Sequence, residues 1–349
     1  MSAKPVDQTP ETTESQFPKI LRRVEILIPA QKGPERLDIF LGRQVAEITR
    51  SAAREMIASG TVTVSEKKVK PSYKVKPGDF IAFEVLSRPP LDVEAEDIPL
   101  DIIFEDEWLV LVNKPAGMVM HPASGNRYGT MVNALLHHIE SLAESDDPNR
   151  PGIVHRLDKA TTGVILICKS HEALSAMARA FRERTIRREY VALCWWNMPS
   201  ENGIVDAALA RDPRDRLKYT TNPSGKRAIT HWREVERFDF LSLCKLRLET
   251  GRTHQIRVHM QSIKHPVFGD PDYAGRNRQL GKLSSAQRKE VAGYLQQVDR
   301  QMLHARTLGF THPITGEEME FSAPIPPDFA GILEELREIK AARDRGRLV

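Results

Sequence analysis

A proline pair and the acidic run after it, at residues 88–97, limit how this chain can fold. Consecutive prolines favour an extended backbone, so the residues on either side are expected to form separate units. At 349 residues the chain is long enough for two domains. We therefore expect a disordered polar tail at residues 1–20, a small module at residues 21–88, a linker at residues 89–98 and a larger domain at residues 99–349.

The small module is predicted to contain two helices followed by short strands. Apolar residues at helical spacing predict one helix that begins near Arg36 and another that begins near Thr49. Two strands are predicted after them, at residues 61–64 and 80–85. Residues 32–88 contain eleven lysines and arginines and seven acids. This positive excess suits an RNA-binding surface, but an ordinary solvent-exposed face often has a similar excess.

The larger domain is predicted to combine strands with helices that occur in separate runs. Apolar runs predict strands at residues 102–104, 109–112, 164–168 and 190–193, and several more between residues 203 and 260. Helices are predicted after Ser170, at residues 284–300 and, on the surface, at residues 332–347. This arrangement argues for an α+β fold with a mixed, mostly antiparallel sheet and flanking helices, rather than for a parallel α/β fold.

The segment HRLDKATTG at residues 155–163 places one carboxylate, Asp158, between the cations Arg156 and Lys159. Neighbouring positive charge favours the ionised form of a carboxyl group. An ionised carboxylate suits a nucleophile or a base better than a proton donor. The plainer interpretation is a structural Asp–Arg pair, because ion-pair networks also perturb carboxylates. The residues alone leave both interpretations open.

The segment TGRTHQIRVH at residues 250–259 is predicted to be a strand. Side chains alternate along a strand, so Arg257 would lie on a polar face and His254 on the opposite one. Arg257 is our candidate for the partner that holds Asp158 ionised and oriented. The alternative is that Arg257 pairs with Glu249 or with another surface acid.

The histidines and cysteines do not have the spacing of a metal site. On the predicted strand His254 and His259 point in opposite directions, and no acidic or thiol ligand completes a tetrahedral set. No glycine-rich phosphate loop is present either, so we expect neither a metal nor a cofactor. Cys168, Cys194 and Cys244 lie in apolar stretches without CxxC spacing, which is typical of reduced core residues.

Charge and hydropathy narrow the class of protein. The formal net charge of +4 permits an RNA partner without requiring one. No apolar run approaches the roughly 20 residues that span a membrane, and the first residues lack the apolar core of a secretory signal. We therefore expect a cytoplasmic protein.

Five segments resemble, in order, the motifs of the RluA-type pseudouridine synthases. The segment at residues 155–163 is similar to the active-site motif of that family, His-Arg-Leu-Asp followed by Thr-Ser-Gly or a near variant. The others are NKPAG with HP within residues 113–122, REYVA at 188–192, TGRTHQIRVH at 250–259, and LHA with HP within 303–313. The N-terminal part resembles the αL-type RNA-binding module of a ribosomal protein, which commonly precedes the catalytic domain in this family.

The resemblance implies a pseudouridine synthase domain that isomerises uridine in RNA without a cofactor. Asp158 is then the catalytic residue and Arg257 its partner, while Tyr190 stacks on the target uracil and helps to remove the proton on carbon 5. Arg156 would fill the gap that the flipped uridine leaves in the RNA stack, and Arg252 would contact the substrate or its backbone. In the module, the basic residues expected to bind RNA are Arg36, Arg50 and Arg54.

The chain is most similar to the members of the family that modify large-subunit ribosomal RNA. The implied partner is ribosomal RNA or the pre-ribosomal large subunit, and the protein is expected to be a monomer. The alternatives are a pseudouridine synthase for another structured RNA such as tRNA, and a non-catalytic RNA-binding protein of ribosome assembly. A glycosidase-like hydrolase would need a second carboxylate across the bond, which no motif supplies.

Three positions depart from the patterns that the resemblance implies. Ala160 stands where an Asp is usual, and Thr162 stands for Ser but keeps the hydroxyl. In the N-terminal module, Ser65 stands where Asn is usual in a turn. These departures could alter loop contacts and turn geometry.

Overall fold

The structure, a computed structural model, describes residues 20–31, 33–45, 50–86, 93–122, 126–145, 149–215 and 217–345. Outside these residues lie Thr49, the first part of the predicted linker, and the predicted disordered tail except for Ile20. The chain divides into two compact units, with the boundary between Asp92 and Val93. Within the described ranges, no helix combines the length and the apolar character needed to cross a membrane.

The first unit consists of short strands and two helices. In chain order these are β1 (Ile20–Leu27), β2 (Glu35–Arg36), α1 (Leu37–Gln44), α2 (Arg50–Ser59), β3 (Thr63–Val64), β4 (Lys67–Lys68), β5 (Lys74–Val75) and β6 (Phe80–Leu86). The larger sheet has the strand order β1-β6-β3-β4, and β2 pairs with β5. Leu37 and Leu41 of α1 share one buried core with Ala53 and Ile57 of α2. Two helices followed by strands are thus present as predicted, whereas β1 was not predicted.

The turn between β3 and β4 contains the departure at Ser65. Ser65 has a φ of 46° and Glu66 a φ of 65°, so both occupy the left-handed region in which Asn and Gly are favoured. The Ser65 hydroxyl oxygen accepts a hydrogen bond from the Phe80 backbone N–H at 3.3 Å. The turn therefore forms with serine in place of asparagine.

The second unit is built on a nine-stranded sheet. The strands are β7 (Ile102–Glu105), β8 (Leu109–Lys114), β9 (Thr162–Cys168), β10 (Arg187–Trp195), β11 (Asn202–Asp206), β12 (Leu209–Arg211), β13 (Tyr219–Thr221), β14 (Ile229–Arg237), β15 (Leu241–Leu248), β16 (Leu303–Thr311) and β17 (Glu318–Ser322). The order is β11-β14-β15-β10-β16-β9-β8-β7, with β17 beside β16, while β12 and β13 form a separate pair. Among the described strands only β16 and β9 pair in parallel, so the predicted mixed, mostly antiparallel sheet is confirmed.

Helices flank this sheet. They are α3 (Met131–His138), α4 (His171–Glu183), α5 (Gln255–Ser262), α6 (Ser285–Gln297) and α7 (Pro327–Asp344), with a 3₁₀ helix at Asn277–Lys282. The predictions of α4 and α6 are confirmed, and Ser170 caps α4 through its side chain. The C-terminal helix was predicted to lie on the surface, which holds for one face only. Its other face is buried through Phe329, Ile332, Leu333 and Leu336.

Strand β10 lies between β15 and β16 and separates two apolar clusters. Its side chains alternate between the two faces, as the strand period of two requires. Tyr190, Ala192 and Cys194 belong to one cluster, and Val191, Leu193 and Trp195 belong to the other. All three cysteines of the chain are buried, and none forms a disulfide.

The strand predicted at residues 250–259 is wrong, because these residues form a turn followed by α5. His254 has a φ of 57°, and the helix begins at the next residue. The Gln255 amide oxygen accepts from the Thr250 hydroxyl at 2.7 Å and from the Arg252 N–H at 3.0 Å, which closes the turn. Every residue from Gln255 to Met260 is buried. Since α5 is buried all round, its apolar residues show no distinct helical face in the sequence.

Candidate active site

The loop that carries Asp158 is fixed through its backbone by a buried lysine. The Lys114 ammonium, at the end of β8, donates to the carbonyl oxygens of Pro115 at 2.8 Å, Lys159 at 3.0 Å and Thr161 at 3.0 Å. Burial lowers the pKa of Lys114 to about 7. We predicted no role for Lys114 from the sequence. Its position directly after the apolar run of β8 was the one feature that could have indicated its burial.

Two further contacts explain how the loop accommodates Ala160 and Thr162, which depart from the family motif. The backbone carbonyl of Ala160 accepts from the Arg300 guanidinium at 3.2 Å, so this position contributes through its backbone. The Thr162 hydroxyl is buried 2.8 Å from Nδ1 of His304. Threonine thus supplies the hydroxyl that serine would supply.

The Asp158 carboxylate lies between two nitrogen-bearing side chains. Its Oδ2 is 3.4 Å from Nη1 of Arg257, and its Oδ1 is 3.9 Å from Nε2 of His254. The side chain is 18% exposed, so it faces the cavity rather than the core. Both partners come from the turn and first helical turn of α5, which the strand prediction had placed on opposite faces. The helix directs both towards Asp158.

Arg257 is itself held by two other acids. Its Nε donates to Asp270 at 2.7 Å, and its Nη2 donates to Asp270 at 2.9 Å and to Asp272 at 2.7 Å. Burial lowers the pKa of Arg257, but the bonds to Asp270 outweigh burial and raise that pKa overall. Glu249, the acid in the alternative prediction, instead accepts from His231 at 2.7 Å. Arg257 is therefore a fixed, permanent cation beside Asp158.

The hydrogen bonds around His254 determine which of its nitrogens carries the proton. The Tyr273 hydroxyl oxygen accepts from the Tyr219 backbone N–H at 2.9 Å and lies 2.7 Å from Nδ1 of His254. Tyr273 is buried, and within the described residues Nδ1 is the acceptor available to its O–H. Burial lowers the pKa of His254. A neutral His254 that accepts at Nδ1 carries its proton on Nε2, facing Asp158.

A cavity of about 530 Å³ opens above Asp158. Tyr190 of β10 lines it and is 8% exposed, and burial raises the pKa of its phenol. Arg156 and Arg252 also line the cavity, with exposed side chains. The Arg252 Nε donates to the carbonyl of Arg227 at 3.2 Å. The predicted residues Asp158, Tyr190, Arg257, Arg156 and Arg252 therefore meet in one cavity.

The three arginines predicted to bind RNA in the first unit have different environments. Arg36 forms two hydrogen bonds to the buried Asp38, at 2.9 Å and 3.0 Å. Arg54 is exposed on α2. The side chain of Arg50 lies outside the described residues.

One group of potential metal ligands occurs among the described residues, and it is unrelated to the cavity. Asp97, His137 and His138 bring their ligand atoms within 4.8 Å of one another, but all three are exposed. Nε2 of His138 lies 2.8 Å from the carbonyl of Ile98. His259, considered as a ligand in the sequence, bonds instead to Thr230 and Ala207.

Comparison with known proteins reveals similarity in both units. Residues 108–262 match the family model described as RNA pseudouridylate synthase, and residues 35–81 match that of the S4 domain. The chain is 42% identical to ribosomal large subunit pseudouridine synthase D of Escherichia coli (strain K12), over 87% of this chain and 91% of that protein.

Two further relatives extend this similarity. The chain is 39% identical to an uncharacterized RNA pseudouridine synthase of Bacillus subtilis (strain 168), over 91% of this chain and 99% of that protein. Among solved structures, human RNA pseudouridylate synthase domain containing 4 has a similar fold, with a TM-score of 0.52 and 25% identity. The match covers 68% of this chain and 92% of that one.

Proposed function

This chain belongs to the RNA pseudouridylate synthase family, and on that premise we propose that it isomerises specific uridines in large-subunit ribosomal RNA. The reaction breaks the N-glycosidic bond, turns the uracil and rejoins it to the ribose through carbon 5. Substrate and product contain the same atoms in the same oxidation state. We therefore expect the enzyme to need neither a cofactor nor a metal.

The position of Asp158 carries this proposal. The Asp158 carboxylate lines the cavity and lies 3.4 Å from a guanidinium that is itself fixed by two acids. Such a carboxylate can act on the ribose or on the pyrimidine ring as a nucleophile or base. The N–H of His254 faces its other oxygen and supports the same orientation.

Tyr190 is proposed to contact the uracil, and Arg156 is proposed to occupy the position that the uracil leaves in the RNA stack. Because burial raises the pKa of Tyr190, its phenol stays protonated at neutral pH, which supports stacking on uracil with the hydroxyl near carbon 5. An enzyme that acts on a base inside folded RNA must take it out of the stack. Arg156 is exposed at the cavity and can occupy the vacated position, while Arg252 contacts the backbone.

The substrate class rests on the relatives and on the first unit. Proteins about 42% identical over most of the chain are named for the ribosomal large subunit. The S4 domain supplies a second RNA-binding surface, for which Arg36, Arg50 and Arg54 are the proposed contacts. We expect a monomer that acts in the cytoplasm on ribosomal RNA or the pre-ribosomal large subunit.

A hydrolase is the chemically closest alternative, and the cavity does not favour it. Hydrolysis of a glycosidic bond requires a second carboxylate across from the first. Among the described residues that line the cavity, the other acid is Glu249, which His231 engages at 2.7 Å.

The substrate is tested by mapping pseudouridines in cells that lack this protein. We expect the loss of pseudouridine at one or a few positions of large-subunit ribosomal RNA, and recovery when the gene is restored. Loss of pseudouridine in tRNA alone would replace the proposed substrate with the alternative one. An unchanged map of all cellular RNA would support an assembly role instead.

A further inference from the structure

Arg188 lines the cavity, and the proposed chemistry at Asp158 does not use it. It lies on β10, two residues before Tyr190 on the same face, and both side chains line the cavity. Only 8% of Arg188 is exposed. Its guanidinium carbon lies 5.5 Å from the centre of the Phe181 ring.

Arg188 differs from the other buried arginines of the described chain. Arg257 donates to Asp270, and Arg300 donates to Asp328 at 2.6 Å and 2.8 Å. The Nε of Arg188 is buried without a hydrogen-bond partner among the described residues. A buried guanidinium normally has a carboxylate partner, because an unpaired buried charge is costly. Arg257 and Arg300 thus have carboxylate partners, whereas Arg188 has none among the described residues.

The acid that could have paired with Arg188 is engaged elsewhere. Glu249 also lines the cavity, but it accepts from His231 at 2.7 Å and lies 3.9 Å from Arg184. The other carboxylate of the described cavity lining, Asp158, contacts Arg257 and His254. The guanidinium is therefore available to an anion that enters the cavity.

The arrangement along β10 indicates which part of an RNA substrate this anion is. Residues two apart on a strand are separated by about 7 Å. Asp158, Arg188 and Tyr190 all line the same cavity. The uracil must lie at Asp158 and Tyr190, where the chemistry occurs. The group that reaches Arg188 is then a neighbouring part of the nucleotide with a full negative charge.

We propose that Arg188 binds a backbone phosphate next to the everted uridine, an inference that rests on the proposed function. A guanidinium presents paired N–H donors that match the oxygens of a phosphate. Arg182 and Arg184 line the same cavity and add positive charge around this position. Binding of the phosphate gives the Arg188 guanidinium an opposite charge and fixes the nucleotide whose base lies over Asp158.

The test combines a change in the protein with a change in one phosphate. The RNA is a large-subunit ribosomal RNA fragment that contains the mapped uridine. In separate molecules, each phosphate flanking that uridine is replaced by a neutral methylphosphonate. A 2′-O-methyl group protects the modified backbone, and control RNA carries the 2′-O-methyl group alone. Affinity is measured with full-length Asp158→Asn protein, with and without Arg188→Gln, so that no turnover occurs during binding.

We expect Arg188→Gln to weaken the binding of control RNA by roughly tenfold to a hundredfold, as expected for a lost charge-assisted hydrogen bond. At one flanking position the methylphosphonate should weaken binding to the protein that retains Arg188 by a similar factor. The same methylphosphonate should leave binding to the Arg188→Gln protein nearly unchanged, because the partner of that phosphate is already lost.

Arg187→Gln is the matched control. Arg187 is the preceding arginine, is paired with Glu318 at 3.0 Å and does not line the cavity. Its replacement should therefore preserve the effect of the methylphosphonate.

Two negative results have different meanings. In the first case the wild-type protein forms pseudouridine in this RNA, but every methylphosphonate weakens binding equally with and without Arg188→Gln. The proposed phosphate site is then wrong and the proposed function stands. If the wild-type protein forms no pseudouridine in any cellular RNA, the proposed function fails, and this inference fails with it. Thermal unfolding of each variant shows whether a loss of binding reflects a loss of fold.

Discussion

At the scale of single residues, Asp158 is oriented by groups that have fixed partners of their own. Arg257 is held by Asp270 and Asp272, and His254 by the hydroxyl of Tyr273. The orientation of both partners is therefore fixed by contacts within the protein. Fixed charges and dipoles of this kind are the means by which enzymes stabilise charge during reaction.

Tyr273→Phe tests whether the bond that orients His254 affects catalysis. Phenylalanine keeps the ring beside Arg257 but removes the hydroxyl that holds Nδ1 of His254 and accepts from the Tyr219 N–H. We expect kcat to fall by about threefold to tenfold, the effect of one neutral hydrogen bond. KM should change little, because Tyr273 does not line the cavity. Kinetics on a ribosomal RNA fragment measure both quantities.

The control for this change is another buried tyrosine. Tyr294→Phe removes a hydroxyl that lies 3.2 Å from Glu290 on α6, outside the cavity, and should leave kcat unaltered. Equal values of kcat for Tyr273→Phe and the wild type would show that His254 does not need this bond.

The candidate residues could be predicted from the sequence only where a short motif contained them. Asp158 and Arg257 belong to such motifs, and the structure brings them within 3.4 Å. The position of His254 could not be predicted, since the strand assigned to residues 250–259 turned its side chain away from Asp158. Lys114 and Arg188 also stand in such motifs but were missed, because a motif does not show that a charged side chain is buried or that it lacks a partner.

At the scale of secondary structure, the approach of β9 to β16 fixes the loop of Asp158. Gly163 has a φ of 112°, and a Cβ at this position would lie 2.1 Å from the carbonyl oxygen of Ala305. Only glycine allows this backbone contact. Gly163 follows Asp158 closely in the chain and lies where β9 and β16 pair in parallel.

Gly163→Ala should therefore destabilise the second unit. We expect the free energy of unfolding to fall by at least about 2 kcal/mol, because the new methyl group meets backbone and the φ is unfavourable. Denaturant unfolding measures this loss. Gly293→Ala is the control, since Gly293 lies in α6 with open space around it and alanine there should add about 1 kcal/mol. Equal stability of Gly163→Ala and the wild type would contradict this account of the loop.

The secondary structure was predictable where an apolar pattern was long. The helix α4 follows from its helical apolar periodicity, whereas β8 and β9, which are buried on both faces, were predicted from continuous apolar runs. The helix α5 does not follow from such a pattern, because Gln255 to Met260 are all buried and their pattern is set by tertiary contacts. The buried face of α7 was not recognised for a different reason: its buried residues Phe329, Ile332, Leu333 and Leu336 lie just before and at the start of the predicted range 332–347, and the rest of that range is rich in charge.

At the scale of the whole molecule, buried neutral histidines predict a loss of stability in acid. Burial lowers the pKa of His155 to about 3 and that of His304 to about 4. In the unfolded chain a histidine takes up a proton below about pH 6.5. Between about pH 6.5 and pH 4 the unfolded state therefore binds more protons, and the free energy of unfolding falls as the pH falls.

Unfolding in denaturant at about pH 7.5, 5.5 and 4.5, across the range in which an unfolded histidine titrates, measures this dependence. The variant His304→Gln should be less stable at neutral pH, because it disturbs the bond to Thr162, but should lose less stability on acidification. If the free energy of unfolding of His304→Gln and of the wild type depends on pH in the same way, His304 does not cause the loss of stability in acid.

The two-unit organisation predicts how RNA affinity depends on salt. Deletion of residues 1–88 removes the S4 domain and its basic residues. We expect weaker binding to ribosomal RNA and a shallower dependence of affinity on salt, because fewer phosphates are neutralised. Titrations between about 50 and 200 mM salt, the range over which such binding changes most, measure both. Unchanged affinity and slope would remove this unit from the account of RNA binding.

The replacement of Asp158 by asparagine tests the central claim most directly. Asparagine keeps the shape of the side chain but has no negative charge and is a far weaker nucleophile. Pseudouridine formation and RNA affinity are measured on the same ribosomal RNA fragment, with the exposed Asp299→Asn as the control. We predict that Asp158→Asn forms no pseudouridine and binds the RNA nearly as well as the wild type, while Asp299→Asn retains both properties. Pseudouridine formation by Asp158→Asn at a rate close to that of the wild type would contradict the account.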